Sequence, residues 1–478
     1  MIPADAALTV EAAVIDERRF GYGAQVLTIT SIAMFMGSLD TTVVNIAIEG
    51  IAKGLKVSNQ TQLAWVLSGY SIVYAATLLA AGRLADWKGR KRVFLAGLGV
   101  FAAGSTLCGL APTLSVLLAA RVLQAMGAAM VTPASLALVL IAFPPEKRAT
   151  AVGVWGAVSG MAGAMAPAIG GVLNHAFGWR SLFFINLPFI AVALVAGRRV
   201  LTESRDPKIT KLPDIFGAVL VTFAVGLVVF AIIESSTWGL TSWKFSGVVV
   251  LSILLVVAFV HRCHTVDDPV LDLDLLRQRF FAVANVSAVL FTFAFFGIFL
   301  ANVRFFIHTW GYDSYGAGIA LTPIPTTAAV AGILSGRILG RLGPRRGAAL
   351  AALCFCGGLA AMTLLTGHTA HYWTEACGPM VVIGAGVGLA IAVLNTSATI
   401  HLPPGRYSMG SAFISTGRQV GAAIGVALAL ALFASVAKGA DPLARSHLCW
   451  IVFGAAGLAA GLSIMIFYRN PGTARRAR

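Results

Sequence analysis

Two ionisable residues of opposite sign stand in long apolar runs, Asp40 in 24–50 and Arg121 in 115–142. A charge near the centre of a membrane span is unfavourable by roughly 3 kcal/mol on insertion scales, so such residues face a cavity or a partner and mark ion paths. At a rise of about 1.5 Å per residue, Asp40 lies beyond mid-depth, and Arg121, on a run entering from the other side, reaches the same half. A carboxylate that trades between a guanidinium and a proton is a site of proton exchange, because burial favours its neutral form and the cation its charged form. The plainer reading, a salt bridge that only fixes packing, uses the same two residues.

A second cluster is the charged hairpin GRLADWKGRKR at 82–92, which recurs as GRILGRLGPRR at 336–346, 254 residues later. Gly82 and Gly89 let two helix ends approach closely, while Arg83, Arg90, Lys91 and Arg92 are expected in the headgroup zone. Asp86 is the one acid among five bases. A helix begins near Met409-Gly410 on the same side, and a carboxylate at a helix N-terminus is favoured by about 0.3–1 kcal/mol. Asp86 is therefore expected to latch two halves of the chain, on one side only, since Gly340 takes its place in the second copy. Phe143-Pro-Pro and Leu402-Pro-Pro form another pair of echoes, 259 residues apart.

The elements that carry these residues follow from hydropathy. The chain has 478 residues, 58% hydrophobic and 11% charged, with a mean hydropathy of +0.86. That balance excludes an ordinary soluble domain. A span needs about 20 apolar residues, which marks fourteen, near 24–50, 62–85, 92–111, 115–142, 149–174, 181–201, 214–234, 245–262, 280–308, 316–339, 346–366, 373–400, 410–436 and 447–468. The expected fold is an all-α integral membrane protein. Two six-helix bundles, 24–201 and 280–468, are related by a pseudo-twofold repeat, with two additional transmembrane helices in the connector 202–279. A tail at 1–23 and a basic tail at 469–478 complete the division. Of the 35 Lys and Arg, 26 fall on one side of this topology and six on the other. The bias places both termini in the cytoplasm and accounts for most of the +16 net charge, while Arg outnumbering Lys 26 to 9, with abundant Ala and Gly, points to the inner membrane of a bacterium. The basic residues form no stripe for nucleic acid. The six cysteines include no CxxC pair, and the eight histidines have no metal-ligand spacing, so no metal site is indicated. No loop is long enough for a fused enzyme, and the protein is read as a non-enzyme.

Several motifs in order resemble the fourteen-helix drug:proton antiporters of the major facilitator superfamily. They are LDTTVVNIAI at 39–48, Trp65 to Tyr74, the 82–92 hairpin, RVLQAMGAA at 121–129, WRSLFFINLP at 179–188 and RQVGAAIGVAL at 418–428. The resemblance implies a two-bundle transporter that exports lipophilic small molecules against protons, with Asp40 and Arg121 in proton coupling. It also implies a bend-prone fifth helix carrying Gly163, Ala166, Pro167, Gly170 and Gly171, although small residues at such spacings also serve packing alone. Asn45, Glu49, Gln124, Arg304, Arg418 and Gln419 are candidate cavity-lining residues. Three positions depart from the family pattern: Glu49 stands where Pro is usual, Ala125 where Gly is usual, and Ala166-Pro167 replaces Gly-Pro. No cofactor is expected beyond the proton gradient. The expected partners are the bilayer, protons and a small lipophilic substrate, with a monomer as the working unit. With few deep acids, a dication is disfavoured as substrate. A proton-coupled uptake symporter is the alternative, and a non-transporting receptor or scaffold a more distant one.

Overall fold

The computed structural model describes residues 4–468 apart from 58–59, 207–213, 240, 267–268, 270, 400, 434–435 and 437–438. Side chains outside the described set include those of 4–20, Asn45, Glu49 and Pro167, and the 469–478 tail also lies outside it. Among the described residues every regular element is helical. The first half comprises α1 (Ala4–Gly54), α2 (Gln60–Lys88), α3 (Arg90–Leu110), α4 (Leu114–Ala142), α5 (Pro145–Phe177), the short α6 (Ser181–Phe184) and α7 (Asn186–Val200). Then come α8 (Ile215–Trp238), α9 (Trp243–Thr265) and the short α10 (Asp274–Arg277). The second half comprises α11 (Arg279–His308), the short α12 (Ser314–Ala320), α13 (Pro323–Leu365), α14 (Cys377–Thr399), α15 (Tyr407–Phe433) and α16 (Pro442–Phe467).

Twelve described stretches are long and apolar enough to cross a membrane, where the apolar runs of the sequence count to fourteen. The difference lies in two places. Gly316–Leu365 forms one of the twelve, yet Gly343 has φ 72° inside α13, where two helices meet end to end. α5 is 33 residues long and is not among the twelve. α1 begins at Ala4, within the stretch 1–23 read as a tail, and its apolar span starts at Gly21.

Local chemistry sets the helix ends. Gly89, at φ 112°, breaks the chain between α2 and α3, and Gly343 does the same at the equivalent place in the repeat. Only glycine adopts such angles without strain. The N-terminus of α4 is capped by the Thr113 hydroxyl, which accepts from Val116 N–H, and that of α16 by Asp441, which accepts from Leu443 and Ala444. The repeat extends to side chains. Lys91 Nζ donates to Arg198 O in the last turn of α7, and Arg345 Nε donates to Met465 O in the last turn of α16.

The two halves meet along two seams, α2 against α15 and α5 against α13. We call the end of the molecule that carries the 82–92 hairpin the basic end. There the seams are tight. A Cβ on Gly82 would sit 2.5 Å from Ala412 Cβ, and one on Gly332 2.9 Å from Ala157 Cβ. Further along α5, a Cβ on Gly163 or Gly171 would have no neighbour within 4 Å. α8 leans on both α2 and α15, and α9 packs on α8. At the foot of this pair Asp214 accepts from Arg262 at 2.7 Å. Burial alone would raise the Asp214 carboxyl, but the Arg262 bond and the Gly217 N–H outweigh it and hold it below the usual range.

Candidate functional site

α1, α3 and α7 each bring one polar group, and α4 two, to a common buried point. Asp40 is fully buried, and its Oδ2 accepts from Arg121 at 2.7 Å. Its Oδ1 accepts from Gln124 Nε2 and from Asn186 Nδ2, both at 2.9 Å. Ser105 Oγ accepts from the same two amides at 3.2 and 3.0 Å and donates to Phe183 O. Gly104 permits this closeness, since a Cβ there would stand 2.6 Å from Gln124 N. A buried charge is tolerated only when paired and hydrogen-bonded, and Asp40 meets both conditions.

Arg121 has partners besides the carboxylate. It donates to Gln124 Oε1 at 2.7 Å and to Val66 O at 3.3 Å, and its guanidinium lies 4.1 Å from the Tyr70 ring centroid. Ring faces attract cations, so Arg121 is not stranded when the carboxylate becomes neutral. A cavity of ≈ 230 Å³ bounded by Trp65, Gly69, Ile72, Val73 and Leu118 has Arg121 as part of its wall.

The basic end holds a second constellation. Asp86 Oδ2 accepts from Met409 N–H at 2.9 Å in the first turn of α15, and its Oδ1 accepts from Arg90 at 2.7 Å. Arg90 also donates to Ser408 Oγ, Pro404 O and Gly405 O. It is 1% exposed, which corrects its expected place among the headgroups, and Arg83 is also buried. Arg148 Nη1 donates to Tyr407 Oη at 2.9 Å, so α5 adds to the clasp. The connector closes it from outside. Arg90 N–H donates to Ser204 O, Asp206 N–H to Asp86 O, and Glu203 accepts from the N–H groups of Lys91 and Arg92 at the start of α3.

Other residues singled out in the sequence are more scattered. Ala166 is buried against Leu39, one residue from Asp40, and Gly170 is buried too. Arg304 does not join the network: it lies one turn from the end of α11 and bonds His308 at 3.3 Å. Arg418 and Gln419 are half-buried near the middle of α15. Asn45, Glu49 and Pro167 have side chains outside the described residues. Asn186, Ser105, Tyr70 and the Arg148–Tyr407 contact go beyond the residues that sequence reasoning selects. Asn186 falls in the 179–188 motif, which is the available signal. Among the described residues no group of His, Cys, Asp and Glu is arranged to hold a metal ion.

The chain matches the Major Facilitator Superfamily over residues 30–426 and again over 285–478, and it belongs to that family. It is 33% identical over 413 residues to the Multidrug resistance protein Stp of Mycobacterium tuberculosis (strain ATCC 25618 / H37Rv), covering 84% of this chain and 75% of that one. It is also 33% identical over 409 residues to the Methylenomycin A resistance protein of Streptomyces coelicolor, covering 84% of each. The structure of the proton:xylose symporter XylE superposes with a TM-score of 0.67 at 11% identity, covering 94% of this chain and 97% of that one. That likeness concerns the fold alone. The protein is thus a multi-pass membrane protein of a transporter family.

Proposed function

We propose that this protein exports lipophilic small molecules, drugs or antibiotics among them, in exchange for protons by alternating access. The observation that carries the coupling half is the buried Asp40 held by Arg121, Gln124 and Asn186. Direction rests on the relatives, whose names are those of resistance proteins. The basic end faces the cytoplasm, as the excess of Lys and Arg favours, so the closed seam there gives an outward-facing state. Counting α5 once and α13 as two helices gives fourteen crossings, with α8 and α9 as the additional pair. The working unit is a monomer driven by the proton gradient, without a bound cofactor.

In the outward-facing state a proton reaches Asp40 and Arg121 turns to Gln124 and Tyr70. Loss of the ion pair lets the first half rearrange and the Asp86 and Arg90 clasp open. Substrate entering from the cytoplasm then favours release of the proton inward, which links the fluxes through differential binding to two states. The test is expression in a bacterium lacking its own pumps, challenged with a panel of lipophilic dyes and antibiotics. Lower accumulation, restored by a protonophore, is expected. Higher accumulation favours the uptake symporter, and no change in either direction contradicts transport.

A further inference from the structure

Arg418 stands near the middle of α15, where the sequence places a full positive charge inside a span. Arg90, Arg121 and Arg148 each donate to named partners. Arg418 is different, for among the described residues no carboxylate or hydrogen-bond acceptor is paired with it. At the basic end Gly82 on α2 meets Ser408 and Ala412 on α15, so Tyr74, eight residues up α2, and Arg418, six to ten residues up α15, stand at about one level of the seam. Tyr74 Oη is in turn 3.0 Å from Thr132 Oγ1 on α4. α15 packs against both α2 and α4, so the charge sits where one half faces the other. Seven residues earlier, and hence on the same helix face, Ser411 Oγ is buried without a hydrogen-bond partner. A cation at this depth is retained only where a partner or a cavity compensates it, and among the described residues no protein anion does so.

We propose that Arg418 and Tyr74 form an anion subsite between the halves, which takes the carboxylate of a lipophilic acid. This names a substrate class for the export reading and rests on it. The guanidinium offers a planar pair of donors that matches a carboxylate, and the phenol, which donates to Thr132 Oγ1 while Thr132 donates to Ala128 O, can turn to add a third. The clasp at the basic end would release such a ligand only outward in this state.

The test uses purified protein in detergent without a gradient, so that it reads binding and not export. The probes are 1-pyrenebutyrate and its uncharged amide, followed by energy transfer from the protein's nine tryptophans. The wild type is expected to bind the acid at least roughly tenfold more tightly than the amide, the scale of a charge-assisted bidentate contact. Arg418→Gln is expected to remove that preference, whereas Arg418→Lys retains part of it. Tyr74→Phe, which keeps the ring, is expected to lower acid affinity about threefold. If Arg418→Gln does not fold, the wild-type ratio and Tyr74→Phe decide. Equal binding of acid and amide by the wild type, no binding of the acid, or an undiminished ratio in Arg418→Gln overturns the subsite. Cells that show no export would sink the export reading and leave this ratio intact.

Discussion

At the residue scale, the arrangement around Asp40 depends on charge balance at a fully buried site. Arg121→Gln would leave a buried carboxylate with neutral donors only, and removal of one member of such a pair is unfavourable by about 3–5 kcal/mol. The double variant Asp40→Asn/Arg121→Gln removes both charges and is expected to recover most of that loss. Thermal unfolding in detergent measures it, and a double variant no more stable than Arg121→Gln would speak against an ion pair. Asp40, Arg121 and Asp86 are legible in the sequence because an ionisable residue in an apolar run is conspicuous. Ser105 and Asn186 are not, since neutral polar residues are common in spans and only the three-dimensional meeting of α1, α3, α4 and α7 gives them a shared target. Arg90 is easily misread because a basic cluster at a helix end resembles headgroup anchoring, and its burial depends on carbonyls of 404 and 405 far along the chain.

At the scale of elements, the seams depend on small residues, but only where backbones meet. In sequence the glycines of α5 and α13 look alike. In the structure a Cβ on Gly332 crowds Ala157 at the basic end, whereas Gly163 faces open space. Gly332→Leu is therefore expected to cut transport at least about tenfold, beyond the loss from overpacking alone, while Gly163→Leu leaves most of it. Substrate transport normalised to the amount of protein in the membrane decides between them. Equal effects at both positions would mean that the α5–α13 seam is not what the glycines serve. The two-half repeat is legible because the hairpin recurs with its glycines in register, and Gly89 and Gly343 share the same rare backbone geometry. The crossing count is less legible because two helices meet end to end at Gly343 with no loop between them.

At the scale of the whole molecule, the proposed topology puts both termini on one side. A reporter fused after Arg478 that is active only in the cytoplasm is expected, and activity solely outside the cell would overturn the fourteen crossings. The clasp at the basic end gives this structure its sidedness: the hydrogen bonds described between the halves, from Asp86, Arg90 and Arg148, all lie there. Alternating access then requires a trigger that reaches the clasp from the interior, and a change of charge at Asp40 is the one the network offers. Asp40→Asn keeps the shape and much of the hydrogen bonding but cannot take up or release a proton. The most direct measurement is substrate accumulation in proteoliposomes given a pH difference. Asp40→Asn is predicted to bind substrate yet build no gradient of it, and undiminished accumulation by that variant would contradict the assignment of Asp40 as the proton carrier.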